Sequence, residues 1–288
     1  MAECVTSWTA MCWPDLTRRP RPDPDRTFHY GSDRLQVVDL WLPAGDPATC
    51  RPIVLMVHGG CWQSSIADRR LMDWIAADLR ADGIAVWNID YRGVDRDGGG
   101  YPGTFLDAAA AADVLRDHAG TYALDLSRIV AVGHSAGGHL ALWLAARHRL
   151  PGDSPLATDD PLPIAHVVSL GGLPDLAAVE ASPDNGCGTE VVAQLVGGNR
   201  VDRFADTSVV ELLPVGVPID LIDGAQDEIV PAAMAPAFAE AARAAGDRVV
   251  MQRIAETGHV ELIAPETPAW AAAKASIRRA LSSAAPFE

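Results

Sequence analysis

The sequence predicts an α/β protein, a single domain with a mostly parallel central sheet flanked by helices. Three observations carry that expectation. Short apolar runs alternate with helical patterns from about residue 35 onward, with no internal repeat. Ile53-Val-Leu-Met-Val57 is a continuous apolar run, as a strand covered on both faces requires. Glycines follow such runs, at Gly59-Gly60, Gly133 and Gly171-Gly172, where the chain must turn at the sheet edge.

In chain order, residues 1–34 read as an N-terminal arm. Prolines up to Arg26 argue against helix or central strand, while Trp8 and Trp13 suggest that part of it lies over apolar surface. Residues 35–288 form the domain. Leu35–Leu42 alternates as an early strand, followed by Ile53–Val57. Asp68–Asp82 places Leu71, Trp74, Ile75, Ala77 and Leu79 along one side of a helix that Gly83 stops. Ile84–Ile89 is the next strand. Thr104-Phe-Leu-Asp107 reads as a capping box opening a helix through Asp117, which makes Asp107 a cap. The run beginning at Ile129 is a strand, and an alanine- and leucine-rich helix follows from Gly138 to about His148. His166–Leu170 is a strand after a Pro/Asp-rich loop. Residues 173–214 break the rhythm, hold one helix near Thr189–Val196, and read as a small cap over the C-terminal edge of the sheet. Strands Val217–Ile222 and Val249–Ile254 enclose a helix at Ala232–Ala245, and a last helix runs to about Ser283.

Composition narrows the function. With 38 acidic and 23 basic residues the net charge is −15, which disfavours nucleic acid and anionic membranes as partners. No apolar run reaches the roughly 18–20 residues that span a bilayer, and the N-terminus lacks the pattern of a secretory signal. Cys4, Cys12, Cys50, Cys61 and Cys187 are odd in number, scattered and without a CxxC pair. They are therefore expected as reduced thiols in a cytoplasmic protein. No HExxH or paired Cys/His spacing is present, so neither metal nor cofactor is expected. The oligomeric state is left open.

The chemistry sits at strand ends, where open parallel sheets form their sites. Gly133-His-Ser-Ala-Gly137 lies between a buried strand and a helix. That is a nucleophile elbow, with glycines where a Cβ would collide and Ser135 at the tip. A serine hydroxyl needs a base, and a histidine base needs a carboxylate to fix its tautomer. Of eight histidines, His259 alone occupies a glycine-marked loop beyond the last strand. Asp223, Asp227 and Glu228 share the loop after the preceding strand; Asp227 is chosen because it lies far enough along to reach His259. A tetrahedral oxyanion needs preformed donors. The amide of Ala136 at the helix N-terminus and amides of Gly59, Gly60 and Cys61 could supply them. Trp62 and His134 are candidate pocket residues, although a core role suits Trp62 nearly as well and packing or hydrogen bonding to loop backbone suits His134 better. The Cys61 thiol is expected to be inert and Glu261 to lie on the surface.

These residues resemble the α/β-hydrolase fold from about Leu35 to the C-terminus, through His58-Gly-Gly-Cys-Trp62, Gly133-His-Ser-Ala-Gly-Gly-His139, Asp227 and Gly258-His259. The His-Gly-Gly-x-Trp form is similar to the kynurenine formamidase (arylformamidase) branch and its bacterial esterase neighbours. It is also similar to the hormone-sensitive-lipase group, which usually has a third glycine where this chain has Cys61. The resemblance implies a serine hydrolase with the triad Ser135, Asp227 and His259, acting on a small-molecule ester or aryl formamide. A short-chain carboxylesterase, a feruloyl or acetyl esterase, and a hydrolase-fold protein that binds without turnover are the alternatives. A dinucleotide-binding turn is disfavoured, because Gly133 is followed by His134 and Ser135 where Gly-x-Gly-x-x-Gly is needed.

Overall fold

A computed structural model describes residues 8–46, 48–182 and 186–282. Eight strands form one sheet in the order β1-β2-β4-β3-β5-β6-β7-β8. They are β1 (Arg26–His29), β2 (Val37–Trp41), β3 (Ile53–Val57), β4 (Ala85–Ile89), β5 (Val130–His134), β6 (His166–Leu170), β7 (Ile219–Gly224) and β8 (Val249–Ile254). β1 pairs antiparallel with β2, β2 pairs antiparallel with β4, and the remaining five pairings are parallel.

The continuous apolar strands are buried on both faces for the reason the sequence suggests. Ile53, Leu55 and Val57 point into one core, with Phe105, Leu140 and Phe238. Val54 and Met56 point into the other, with Ile75, Trp270 and Ile277. Strand period two thus divides a single run between two cores. Helices α3 (Gly103–Asp113), α4 (Leu115–Tyr122), α5 (Ala136–Ala146) and α8 (Met234–Ala244) supply the first core. Helices α2 (Asp73–Ala81) and α9 (Pro268–Ser282) supply the second.

Several local expectations change. The arm contains a short helix, α1 (Trp13–Thr17), despite Pro14, because proline is tolerated in a first turn whose amides lack helical partners. Its start is capped reciprocally by Cys12 and Asp15, with Cys12 N donating to Asp15 Oδ2 at 2.8 Å. The single helix expected to run through Asp117 breaks at Val114 into α3 and α4. Asp107 is not a cap. Its carboxylate accepts from Arg92 Nε at 2.7 Å, Arg92 Nη2 at 2.8 Å and Gln36 Nε2 at 2.8 Å, tying three segments together. Thr104 Oγ1 instead donates to Arg92 O at 2.6 Å. The stretch 173–214 holds two helices, α6 (Leu176–Ala181) and α7 (Thr189–Leu195), and a 3₁₀ turn at Val209–Leu212. The last expected helical residue, Ser283, lies outside the described residues, as does Cys4.

Candidate active site

β5 delivers Ser135 to the sheet's C-terminal edge. Ser135 has φ 55 and ψ −123, a conformation costly for a residue with a side chain and retained only where neighbours over-determine it. Three bonds do so. Ser135 N donates to Leu170 O at 2.8 Å, while Gly138 N and His139 N donate to Ser135 O at 2.8 and 3.3 Å. The flanking glycines are obligatory by space. A Cβ on Gly133 would lie 2.0 Å from Gly137 O, and one on Gly137 would lie 2.2 Å from Val57 O.

β7 and β8 end in the loops that carry the acid and the imidazole. His259 Nδ1 and Asp227 Oδ2 are 2.7 Å apart, both side chains almost wholly buried. Asp227 Oδ1 accepts from Ile229 N at 2.8 Å and Val230 N at 3.1 Å, so the carboxylate is fixed at both oxygens. Burial pushes the Asp227 carboxyl up. The His259 hydrogen bond, the His259 charge and the two amides together outweigh that and hold it below its ordinary value. Asp227 therefore remains ionised at neutral pH. Asp223, the other strong acid candidate, has its carboxyl pushed up to about 7, chiefly by burial and then by the charge of Asp227. Gly171, in the left-handed region at φ +54, leaves the room this pair needs: a Cβ there would lie 3.3 Å from Asp227 Oδ2 and 3.4 Å from His259 Nδ1.

The His58–Trp62 loop passes directly against the elbow, since a Cβ on Gly59 would come within 3.0 Å of the Ser135 Cβ. Gly60, Cys61 and Trp62 have φ of 104, 52 and 54, three successive residues at positive φ. Backbone strain of this kind requires support. His58 supplies it with both ring nitrogens, Nδ1 facing Gly59 O at 2.6 Å and Nε2 facing Asp90 Oδ1 at 3.0 Å. Tyr91 Oη donates to His58 O at 3.0 Å, and Val94 N to Trp62 O at 2.8 Å.

The expected reduced thiols are corrected here. Cys61 and Cys187 form a disulfide across 126 residues, binding this loop to the segment between α6 and α7. Cys12 and Cys50 are free and exposed.

Ser135, His134, His259, Gly60 and Cys61 share a cavity of about 430 Å³ with Trp13, Thr17, Ile66, Ala67, Leu71, Gly186 and Ile229. Among the described residues its lining carries no acidic residue, lysine or arginine. Among the described residues no three or more His, Cys, Asp or Glu side chains are gathered as a metal would need, and no helix is long and apolar enough to cross a membrane.

The BD-FAE family model matches residues 38–241, more than two thirds of the chain. The chain belongs to the BD-FAE family. Esterase LipC of Mycobacterium tuberculosis is 26% identical over 226 residues, covering 76% of this chain and 55% of that protein. The isoprenylcysteine alpha-carbonyl methylesterase ICME of Arabidopsis thaliana is 24% identical over 247 residues, 82% of this chain and 56% of its own. The chain thus spans about half the length of the curated relatives it matches. Among solved structures, a truncated carbohydrate esterase from gut microbiota superposes with TM-score 0.74 at 21% identity, covering 90% of this chain and 98% of that one. The propionate-bound esterase Est2 of Thermogutta terrifontis gives 0.71 at 22% identity, covering 91% and 96%. The fold is the α/β-hydrolase fold.

The BD-FAE match includes the His58–Trp62 loop, the elbow and Asp227, but neither His259 nor the arm. Around this BD-FAE framework the expectations for Trp62 and Glu261 change. Trp62 is fully buried in the core rather than in the cavity, and its indole nitrogen donates to His139 Nδ1 at 3.2 Å. His134 does face the cavity, but it is otherwise enclosed. Its Nε2 donates to His259 O at 3.1 Å, and burial, then the nearby His259, holds it neutral by lowering its basicity well below the usual value. Glu261 is buried, not on the surface, accepting from Met11 N at 2.6 Å and Gly258 N at 3.1 Å. Sequence reasoning missed Trp13, Thr17, Ile66, Leu71 and Ile229 as lining residues; only the paired arm tryptophans hinted that the arm rests on apolar surface.

Proposed function

We propose that this chain is a cofactor-free serine hydrolase that cleaves a carboxylic ester through an acyl-enzyme. The observation that carries the reading is the 2.7 Å Asp227–His259 pair, whose imidazole shares one cavity with a Ser135 held at positive φ. Ser135 Oγ attacks the ester carbonyl while His259 Nε2 takes its proton. Asp227, ionised and fixed at both oxygens, keeps the proton of His259 on Nδ1 and stabilises the imidazolium. The Ala136 amide, at the N-terminus of α5, and amides of Gly59, Gly60 and Cys61 receive the oxyanion. His259 then returns its proton to the departing alcohol, and water releases the acid by the same steps in reverse.

The described walls, which carry no acidic residue, lysine or arginine, support an uncharged, compact substrate. The His58-Gly-Gly-Cys-Trp62 motif supports aryl formamides as a second substrate class for the same chemistry. The Cys61–Cys187 disulfide removes the thiol argument for a cytoplasmic location and supports a compartment where disulfides persist. Turnover of p-nitrophenyl acetate and butyrate beside N-formyl-kynurenine, with Ser135→Ala as the blank, tests the reading. Ester turnover that is absent from the blank is expected. A wild-type protein that neither turns over any of these nor reacts with a fluorophosphonate would instead be a ligand-binding protein.

A further inference from the structure

The segment around α1 does more than cover apolar surface. Trp13 stands over the catalytic imidazole, its ring edge-on to both His259 and His134 with centroids 6.1 Å from each. Trp13 and Thr17 line the same cavity as Ser135, facing Ile66 and Leu71 of the loop and turn before α2 and Ile229 beside the acid. An indole at this position is a wall across the space in which an ester must lie.

That wall is fixed in place from several sides. Met11 N donates to one oxygen of Glu261 while the other accepts from Gly258 N, beside His259, so one buried carboxylate holds both the arm and the catalytic loop. Leu16 is fully buried in the second core. Arg19 pairs with Glu266 through two bonds, and Trp74 Nε1 donates to Pro20 O at 3.2 Å. Trp13 itself remains 38% exposed, so its ring bounds the cavity without being locked into the core.

We infer that Trp13 is a specificity-determining residue that limits the length of ester the cavity accepts, confining the enzyme to short, uncharged substrates. The inference rests on Ser135 and His259 being the reacting pair. Among the described residues their cavity has no other large aromatic side chain in its lining, so replacing this indole with a methyl group opens it more than truncating any other described lining residue.

The test compares wild type, Trp13→Ala and Trp13→Phe on two series at equal concentration. One is p-nitrophenyl acetate, butyrate and octanoate; the other is methyl, butyl and octyl acetate followed by acid release. Trp13→Ala is expected to raise the ratio of kcat/KM for the longest ester to that for the shortest by about 10-fold or more in at least one series, as pocket methylenes typically discriminate. Trp13→Phe should stay near the wild-type ratio. Leu16→Ala, which loosens the seat of the helix and leaves the indole intact, should shift the ratio in the same direction. Unchanged ratios in both series, with acetate turnover retained, would overturn the role of Trp13 and leave the esterase reading standing. A wild-type protein without Ser135-dependent turnover would overturn both.

Discussion

Ser135, Asp227 and His259 come from three strand ends separated by up to 124 residues of sequence, yet each is held by local bonds rather than by the others alone. Removing the Ser135 oxygen should therefore abolish ester turnover while the thermal transition stays in place. Asp227→Asn should lower kcat by about 10³–10⁴-fold, because the amide no longer holds the imidazole in the working tautomer. Asp223→Asn should leave kcat nearly intact; the reverse pattern would transfer the acid role to Asp223. Asp223 has a second, opposite signature. Its folded-state value of about 7 lies above the ordinary 3.8, so the folded protein binds more protons between those values and loses stability as pH rises through that window. Asp223→Asn removes the penalty. Denaturant titration should show the variant more stable than wild type at pH 8, by about 1–2 kcal/mol, with no gain near pH 3.5. Asp227 behaves in the contrary sense: its lowered value contributes stability above the unfolded value that is lost as pH falls through the folded one.

At the scale of elements, the site is three loops made into one body. The disulfide joins the Cys61 loop to Cys187. Gly186 N donates to Ile229 O at 3.0 Å, and Ile229 N in turn donates to Asp227. Closing a loop of 126 residues constrains the unfolded chain by about 4–5 kcal/mol in the chain-entropy model. Replacing both cysteines by serine should lower the unfolding free energy by about 3–5 kcal/mol. It should also lower kcat on p-nitrophenyl acetate, because residues 60–62 hold positive φ only with support. Lost stability with an unchanged kcat would mean that the hydrogen bonds of His58 and Tyr91 suffice for that loop. Much of this level was legible in the sequence. Ile53–Val57, His166–Leu170 and Val249–Ile254 form strands at the expected residues; the first two carry the burial signal in their apolar runs, while Val249–Ile254 is an edge strand with no fully buried residue. The disulfide was not legible, since pairing across 126 residues depends on the fold. Helix α6 was missed because six residues give too short a period to recognise. Glu261 reads as surface for the same reason that a lone carboxylate usually is; its burial depends on amides of Met11 and Gly258 that only the tertiary structure supplies.

At the scale of the molecule, one sheet separates two cores, and the division of labour between them follows the chain termini. The first core is built by helices between the strands. The second is closed by α2, by α9 and by Leu16, a residue of the arm. Proline density makes residues 1–34 look separable, but proline density restricts only local backbone and is silent on what a side chain four residues away can bury. If the arm were a loose tail, truncating Leu16 would cost nothing. Because Leu16 is fully buried in the cluster that contains Trp74, Ile263 and Trp270, Leu16→Ala should cost about 2–5 kcal/mol, seen as a lower urea midpoint with an unchanged slope. A reduced slope would indicate that the arm unfolds separately, and an unchanged midpoint would place it outside the cooperative unit. The same substitution reports on function, since the short helix that buries Leu16 in the second core also carries Trp13 at the cavity. Stability and substrate length should therefore shift together, which a tail merely lying on the surface could not produce.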